Sequence, residues 1–520
     1  MQQNETSAAR AFPEMLTEQP IFSLTEIFNC DRSIWDIGTQ NCWPQKIPDT
    51  EKSSTFDPPE TADSEWSSTS VNAAATCNTF LTTPPFQLQF DGQGGQTDVG
   101  VTPESDSSLI EFFIQSVRPP ILADIEAHKK WLTMRHAIVG MARHSPIVRS
   151  AVSAFATLLI SRQNNNADTC EQNHYQNAIA GVAGFDSSAM AEYSNDREHV
   201  LVALFFLCYI DILEIRMEMA HLNLKRAYNI FQRGHKTSFS SMERQLLLWI
   251  RLLDARAVSA GGDGLFLLED VESLLGDSSP AKSDSIPGTP DGQSVGEDDV
   301  EDVLFQALYQ PGVIFYQKVQ SYMGHISKLD PWHRSRGTVE DEIEVMNKGA
   351  SIAAGLRSLY NQRPILMDLA VAGRLVEPHL SSSLACAITR AFRTYLLNFY
   401  ACKVHLHRVA YKTLPLTKEV EDALSQIRKL AQQIVADLEP SDNPPVTILW
   451  PLLMLGAEET DESERQWIRA QLLRMENVVG NAGRTTKVLD KVQSYQDTAK
   501  VRMDIRAVMH SEFNLCFAIV

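Results

Sequence analysis

The sequence predicts an all-α protein, and three observations carry that reading. Apolar residues recur at helical spacing through most of residues 107–498, alternating strand-like runs are almost absent, and the periodic runs are punctuated by stops and starts such as Arg118-Pro119-Pro120 and Ser145-Pro146. At 520 residues and 44% hydrophobic the chain can bury a large core, and no short fixed period suggests a solenoid. The expected architecture is a large irregular multi-helix domain preceded by a disordered acidic segment and interrupted by a disordered insertion.

Residues 1–105 are rich in Ser, Thr, Pro, Asp and Glu without sustained periodicity, so they are expected to be disordered. Within them, bulky residues between positions 18 and 43, among them Phe22, Phe28 and Trp35, alternate with acids at 18, 26, 31 and 36. That mixture suits a disordered activation segment whose apolar anchors enter a partner's groove, and equally a short helix docking on the protein's own body.

Helices are expected next. Leu109, Phe112, Phe113, Ile114 and Val117 mark the first, 121–142 is a second, and Ser145-Pro146 opens an apolar third over 147–160, followed by a polar loop at 164–167. Residues 200–215 are apolar on every side, which places that helix in the middle of the domain, and a further helix ends at Gly234. Over 243–260, Leu246, Leu247, Trp249, Ile250 and Leu253 form an apolar face, with Arg244, Arg251, Asp254 and Arg256 as its polar side. The Gly/Ser/Pro/acid composition of 276–302 cannot support a core. Beyond it, helices are expected over 303–329, 339–360, 382–411, 418–438, 450–459, 464–479 and 487–498. The chain thus divides into an acidic segment at 1–105, a first helical half at 106–262, an acidic flexible insertion at 263–302 and a second helical half at 303–520.

The net charge of −19 is local rather than general. Residues 1–105 hold 15 acids against 4 bases and residues 263–302 hold 12 against 1, so each stretch carries −11 and the remainder carries +3. The eight cysteines include no Cys-x-x-Cys pair, which indicates neither a disulfide framework nor a structural zinc site and suits a reducing compartment; Cys208 and Cys402 lie in apolar runs. The longest unbroken apolar run, 200–210, is too short for a membrane span, and a soluble intracellular protein is expected.

Catalytic patterns find little support. Asp298-Asp-Val-Glu-Asp302 matches the aspartate-rich pattern with which helical prenyl-substrate enzymes hold Mg²⁺, so an enzyme using Asp298, Asp299 and Asp302 is one alternative. Chelating carboxylates must project from a rigid helix into a cavity, whereas these end a linker-like stretch. His405 and His407 lie on opposite sides of a helix and are expected at the surface. No Gly-x-Ser-x-Gly, His-Glu-x-x-His or phosphate-cradling glycine loop occurs, and no cofactor or metal site is expected.

Four stretches in order do resemble a known family. Leu109-Ile-Glu-Phe-Phe-Ile-Gln-Ser-Val-Arg-Pro119 is similar to its opening segment. Residues 200–215 followed by Glu218-Met-Ala-His221-Leu resemble its paired central helices, and Trp249-Ile-Arg251-Leu-Leu-Asp254-Ala-Arg-Ala its internal aromatic, Arg and Asp helix. Trp450-Pro451-Leu-Leu-Met-Leu-Gly456-Ala-Glu458, with Arg465 seven residues on, resembles its Trp-Pro-Leu…Gly-x-Glu…Arg segment. The family is the fungal-specific transcription factor domain, the helical effector region of zinc binuclear cluster regulators. Leu453, Leu455 and Glu459 depart from it, standing where the family more often has an aromatic and two small residues.

The resemblance implies a nuclear transcriptional regulator, not an enzyme, controlling a metabolic or secondary-metabolite gene cluster and receiving a small-molecule effector. Family members usually bind DNA through six close cysteines and a basic run, and these 520 residues contain neither. Little autonomous DNA binding is therefore expected, with action through protein partners: a DNA-binding zinc-cluster regulator and the transcription machinery. A helical scaffold outside transcription is the other alternative.

Overall fold

The computed structural model describes residues 103–519 apart from 117–118, 120, 123–129, 165–169, 188–193, 235–238, 272–273, 275–296, 331–335, 376–379, 439–441, 477 and 515. Phe22, Phe28 and Trp35 lie outside the described residues. Among the described residues there are sixteen α-helices, three short 3-10 turns and no strand.

The first half comprises α1 (Pro103–Ser116), α2 (Leu132–His144), α3 (Pro146–Asn164), α4 (Cys170–Ser187), α5 (Ser194–Leu213), α6 (Met217–Arg233) and α7 (Ser241–Ala257). α5 is its axis: α3, α4, α6 and α7 pack around it, and every residue from 200 to 213 is buried. That is the fate of a helix apolar all round. Phe113, Trp131, Phe206 and Trp249 meet beside it, with Phe113 and Trp249 at 5.8 and 6.0 Å from the Trp131 ring. The one acid in the apolar run, Asp211, is buried and satisfied by Tyr175 Oη at 2.7 Å, Arg216 Nε at 3.0 Å and Asn223 Nδ2 at 2.9 Å. A buried carboxyl without such donors would cost several kcal/mol, about 1–3 even for a neutral group.

Several boundaries differ from expectation, each for a local reason. α1 starts at Pro103, as a residue lacking an amide proton suits a first turn. Of the helix expected over 121–142, the described residues include α2 from Leu132, while Ile121 and Leu122 form a buried turn. There the Ile121 amide donates to Tyr209 Oη at 2.8 Å and the Leu122 amide to the Pro119 carbonyl at 3.0 Å. α4 was not expected at all, and neither was the short α10 described below.

α7 begins at a capping box in which Ser240 Oγ accepts from the Glu243 amide at 3.1 Å and Glu243 accepts from the Ser240 amide at 2.7 Å. Its expected polar side is wrong: Arg251, Asp254 and Arg256 are all buried, because α7 lies between the halves. Packing also continues past the Gly261-Gly262 stop. Gly261 and Gly264 take left-handed backbone angles, φ +93° and +58°, and turn the chain so that Phe266 and Leu267 enter the core.

The second half holds α8 (Glu297–Leu329), α9 (Val339–Asn361), α10 (Ile365–Val371), α11 (Ser382–Ala410), α12 (Lys418–Ala436), α13 (Leu449–Gly456), α14 (Glu462–Arg474), α15 (Ala482–Ala499) and α16 (Ile505–Phe513). α8 starts at 297 rather than 303, so Asp298, Asp299 and Asp302 fall on the backbone of its first turns and not in a linker tail. α11 is the axis here, packed by α8, α9, α10, α12 and α13. α8 also packs on α7 and so joins the halves.

Candidate functional site

α13 is wholly buried, Trp450 included at 3% exposure. It threads between longer helices: a Cβ on Gly456 would lie 2.8 Å from Leu489 Cδ2 and 3.3 Å from Ile468 Cγ2, so the side chains of α15 and α14 pack directly on the bare glycine. Pro451 sits in the first turn, where its missing amide is harmless. The His405 and Trp450 rings meet edge to face, 5.6 Å apart at 85°. His405 Nε2 is 3.2 Å from Ser327 Oγ, and burial followed by nearby Arg506 pushes its pKa down to about 3, so the ring is neutral. The expectation of two surface histidines is therefore corrected: His405 and His407 are both buried, on different sides of α11.

Glu458 and Arg465 have separate roles. Glu458 receives Arg408 and, at 3.2 Å, Arg502 Nε. Arg408 also donates to the Met503 carbonyl at 2.7 Å and the Ala457 carbonyl at 3.2 Å; burial, opposed by Glu458, lowers its pKa. Arg465 pairs bidentately with Asp497 at 2.7 and 2.9 Å and donates to the Glu459 carbonyl at 2.8 Å. Glu458 follows α13, which ends at Gly456, and Arg465 lies in the first turn of α14, which begins at Glu462. Both hold the α13–α14 corner against α11 and α15.

The remaining signature residues form a second cluster around α7. Trp249 is wholly buried, 5.5 Å from the Phe205 ring. Arg251 donates to Ser321 Oγ at 2.6 Å and to the Glu269 carbonyl at 3.1 Å, and burial lowers its pKa to about 10. Asp254 Oδ2 accepts from the Phe266 amide at 2.9 Å, and burial raises its pKa to about 6. His221 is half-buried against Gly262, where a Cβ would approach its Nε2 to 3.1 Å. These contacts fasten residues 262–269 and α8 to α7. Among the described residues no group of three or more His, Cys, Asp or Glu is placed to hold a metal ion.

A cavity does open elsewhere. A cleft of about 320 Å³ is lined by Ala353 and Leu356 of α9, Leu406 and His407 of α11, Tyr411 and Leu414 of the following turn, and Val420 of α12. Lys403 and Glu419 close one side of it with an ion pair at 2.7 Å. His407 Nε2 is 3.0 Å from the Pro415 carbonyl and Nδ1 is 3.3 Å from Arg502, which assigns a neutral ring with its proton on Nε2. Burial, then Arg502, lowers its pKa in agreement. Sequence reasoning missed this cleft because its walls come from two stretches far apart in sequence, 353–356 and 403–420, each an ordinary helical pattern.

None of the described helices is long and apolar enough to cross a membrane. No curated protein and no solved structure matches the chain. The signature segments that the fold separates into two clusters lie within one match: residues 112–518 fit the model of the fungal-specific transcription factor domain, and the chain belongs to that family.

Proposed function

We propose that this chain regulates transcription by recruitment, without catalysis. Family membership over residues 112–518 carries the reading. In it, the helical body docks on a DNA-bound protein, a zinc-cluster regulator being the suited type, and residues 1–105 contact the transcription machinery through Phe22, Phe28 and Trp35. Its setting is the nucleus, and its targets belong to a metabolic or secondary-metabolite gene cluster. The apolar cleft beside Lys403 and Glu419 is the place for a small effector, since its volume and mixed lining fall within the range of ordinary ligand pockets, roughly 300–1,000 Å³.

The test tethers residues 1–105 to a foreign DNA-binding domain. Reporter output should rise, and the triple variant Phe22→Ala, Phe28→Ala, Trp35→Ala should abolish it. No output from the unaltered segment removes the activation role, and tight sequence-selective DNA binding by the purified chain removes the recruitment step.

A further inference from the structure

α1 and α2 do not close on each other along their whole length. Two adjoining hollows of about 490 and 170 Å³ share Ile114, Val139 and Arg143 and form one open groove between the helices. Its floor is apolar: Val139 and Ala142 are buried beneath it, and half-buried Ile110 and Ile114 supply the α1 wall. Gly140 lines the smaller hollow, exposed in the interior of α2, and a Cβ on it would meet nothing within 4 Å. A glycine inside a helix weakens that helix, and no neighbour in this fold needs the space above Gly140. The bare backbone suits a body that approaches from outside.

The rim sets the charge of that body. Arg135, Arg143 and Arg149 stand on the α2 and α3 side. Arg149 is fixed there, donating from Nε to the Ala142 carbonyl and from Nη2 to the Arg143 carbonyl, both at 2.9 Å. The acid on the rim, Glu111, lies on the α1 side and accepts from Gln115 Nε2 at 3.0 Å. The bias extends along the sequence: residues 127–167 contain six Lys and Arg and no Asp or Glu, in a chain whose net charge is −19. Length agrees with a helical occupant. Arg135 and Arg143 are eight positions apart, about 12 Å along α2, and acids seven positions apart on a second helix span about 10 Å. An apolar floor flanked by a row of bases is complementary to a helix with an apolar ridge and one acidic edge.

We propose that the α1–α2 groove docks an acidic amphipathic helix of a partner protein. The helix seats its apolar ridge on Ile110, Ile114, Val139 and Ala142, passes close over Gly140, and pairs its acidic edge with Arg135, Arg143 and Arg149. The proposal rests on the recruitment reading only for the partner's place in transcription, and it gives the helical body a surface with which to recruit. Its test uses neither DNA nor a reporter, so the two readings fail separately.

Fluorescence anisotropy of the full chain tests it, with a labelled helical probe peptide carrying leucines on one face and glutamates along one edge. The probe should bind saturably, and its twin with lysines in place of the glutamates should bind at least tenfold more weakly. Arg143→Glu should weaken the glutamate probe about tenfold and strengthen the lysine twin. Gly140→Leu, which fills the groove, should abolish binding of both. Arg143 is exposed and the space above Gly140 is open, so thermal melts of these variants should not fall. Leu268→Glu, at an exposed residue on another element, should leave binding unaltered. No binding by the glutamate probe overturns the proposal, as does equal binding of the two probes or binding that survives Gly140→Leu. Two further results overturn it by naming another occupant. One is probe binding seen only in the Phe22→Ala, Phe28→Ala, Trp35→Ala variant, which assigns the groove to the chain's own segment; the other is self-association that Gly140→Leu removes, which assigns it to a second copy.

Discussion

The Arg256 guanidinium lies over the Trp450 indole, its central carbon 5.8 Å from the ring centroid, and joins α7 of the first half to α13 of the second. The same group donates to Asn398 Oδ1 at 3.1 Å and to the Ile519 carbonyl at 3.2 Å. Asn398 Nδ2 in turn donates to the Thr447 carbonyl at 3.1 Å, just ahead of α13. One buried cation thus ties together four stretches that lie up to 263 positions apart in sequence. Such a charge is tolerated only where donors and acceptors are complete, which makes the cluster sensitive to the loss of any member.

Replacing Trp450 with Ala should destabilise the protein by roughly 3–5 kcal/mol, the usual cost of emptying a buried aromatic site. Arg256 and His405 would lose the ring between them, so the site cannot simply collapse. Trp450→Phe keeps an aromatic face in both contacts and should cost clearly less. Urea unfolding of the three proteins measures this; a near-wild-type midpoint for Trp450→Ala would contradict the packing described.

Asp254 makes stability depend on pH in the direction opposite to most carboxylates. Burial raises its folded pKa from the ordinary aspartate value of about 3.8 to about 6, so between these values the folded state holds the proton more tightly than the unfolded one. Its contribution is therefore complete below about pH 4 and is lost as pH rises through 6. Asp254→Asn keeps an oxygen to accept the Phe266 amide but removes the titration. The variant should match wild type near pH 4 and gain on it with rising pH, reaching on the order of 2–3 kcal/mol by pH 7. Denaturant midpoints at both pH values decide this, and a constant difference between the two proteins would refute the assignment.

Long, strongly patterned helices were legible in the sequence. Residues 200–213 are buried on all sides as their composition implies, and of the periodic set Leu424, Ile427, Leu430, Ile434 and Leu438, the middle three are buried in α12 while Leu424 and Leu438 are half-buried. Burial of charge was not legible. Arg251, Asp254 and Arg256 look like the solvated side of an amphipathic helix because a helical pattern records polarity and not what lies opposite. His405 and His407 mislead in the same way, since only the fold brings Ser327, Trp450, Pro415 and Arg502 to them. The cleft depends on which helices are left uncovered, a tertiary property that local periodicity does not hold.

The helix α4 was missed because Gly181 and Gly184 lower its intrinsic propensity, yet the two glycines have different reasons to be there. A Cβ on Gly181 would stand 2.5 Å from Ile147 Cγ1, so this glycine allows α4 to approach α3. A Cβ on Gly184 would meet nothing within 4 Å, and the residue is exposed within the helix. Gly184→Ala should therefore stabilise the protein by about 0.5–1 kcal/mol, chiefly by restricting the unfolded chain. Gly181→Ala receives the same benefit but must push Ile147 aside, and overpacking of this kind typically costs about 1–3 kcal/mol, so its net effect is destabilising. Thermal melts of the two variants should move in opposite directions from wild type. If both rise together, α4 does not sit against Ile147 as closely as the geometry requires, and the contact between α3 and α4 is looser than described.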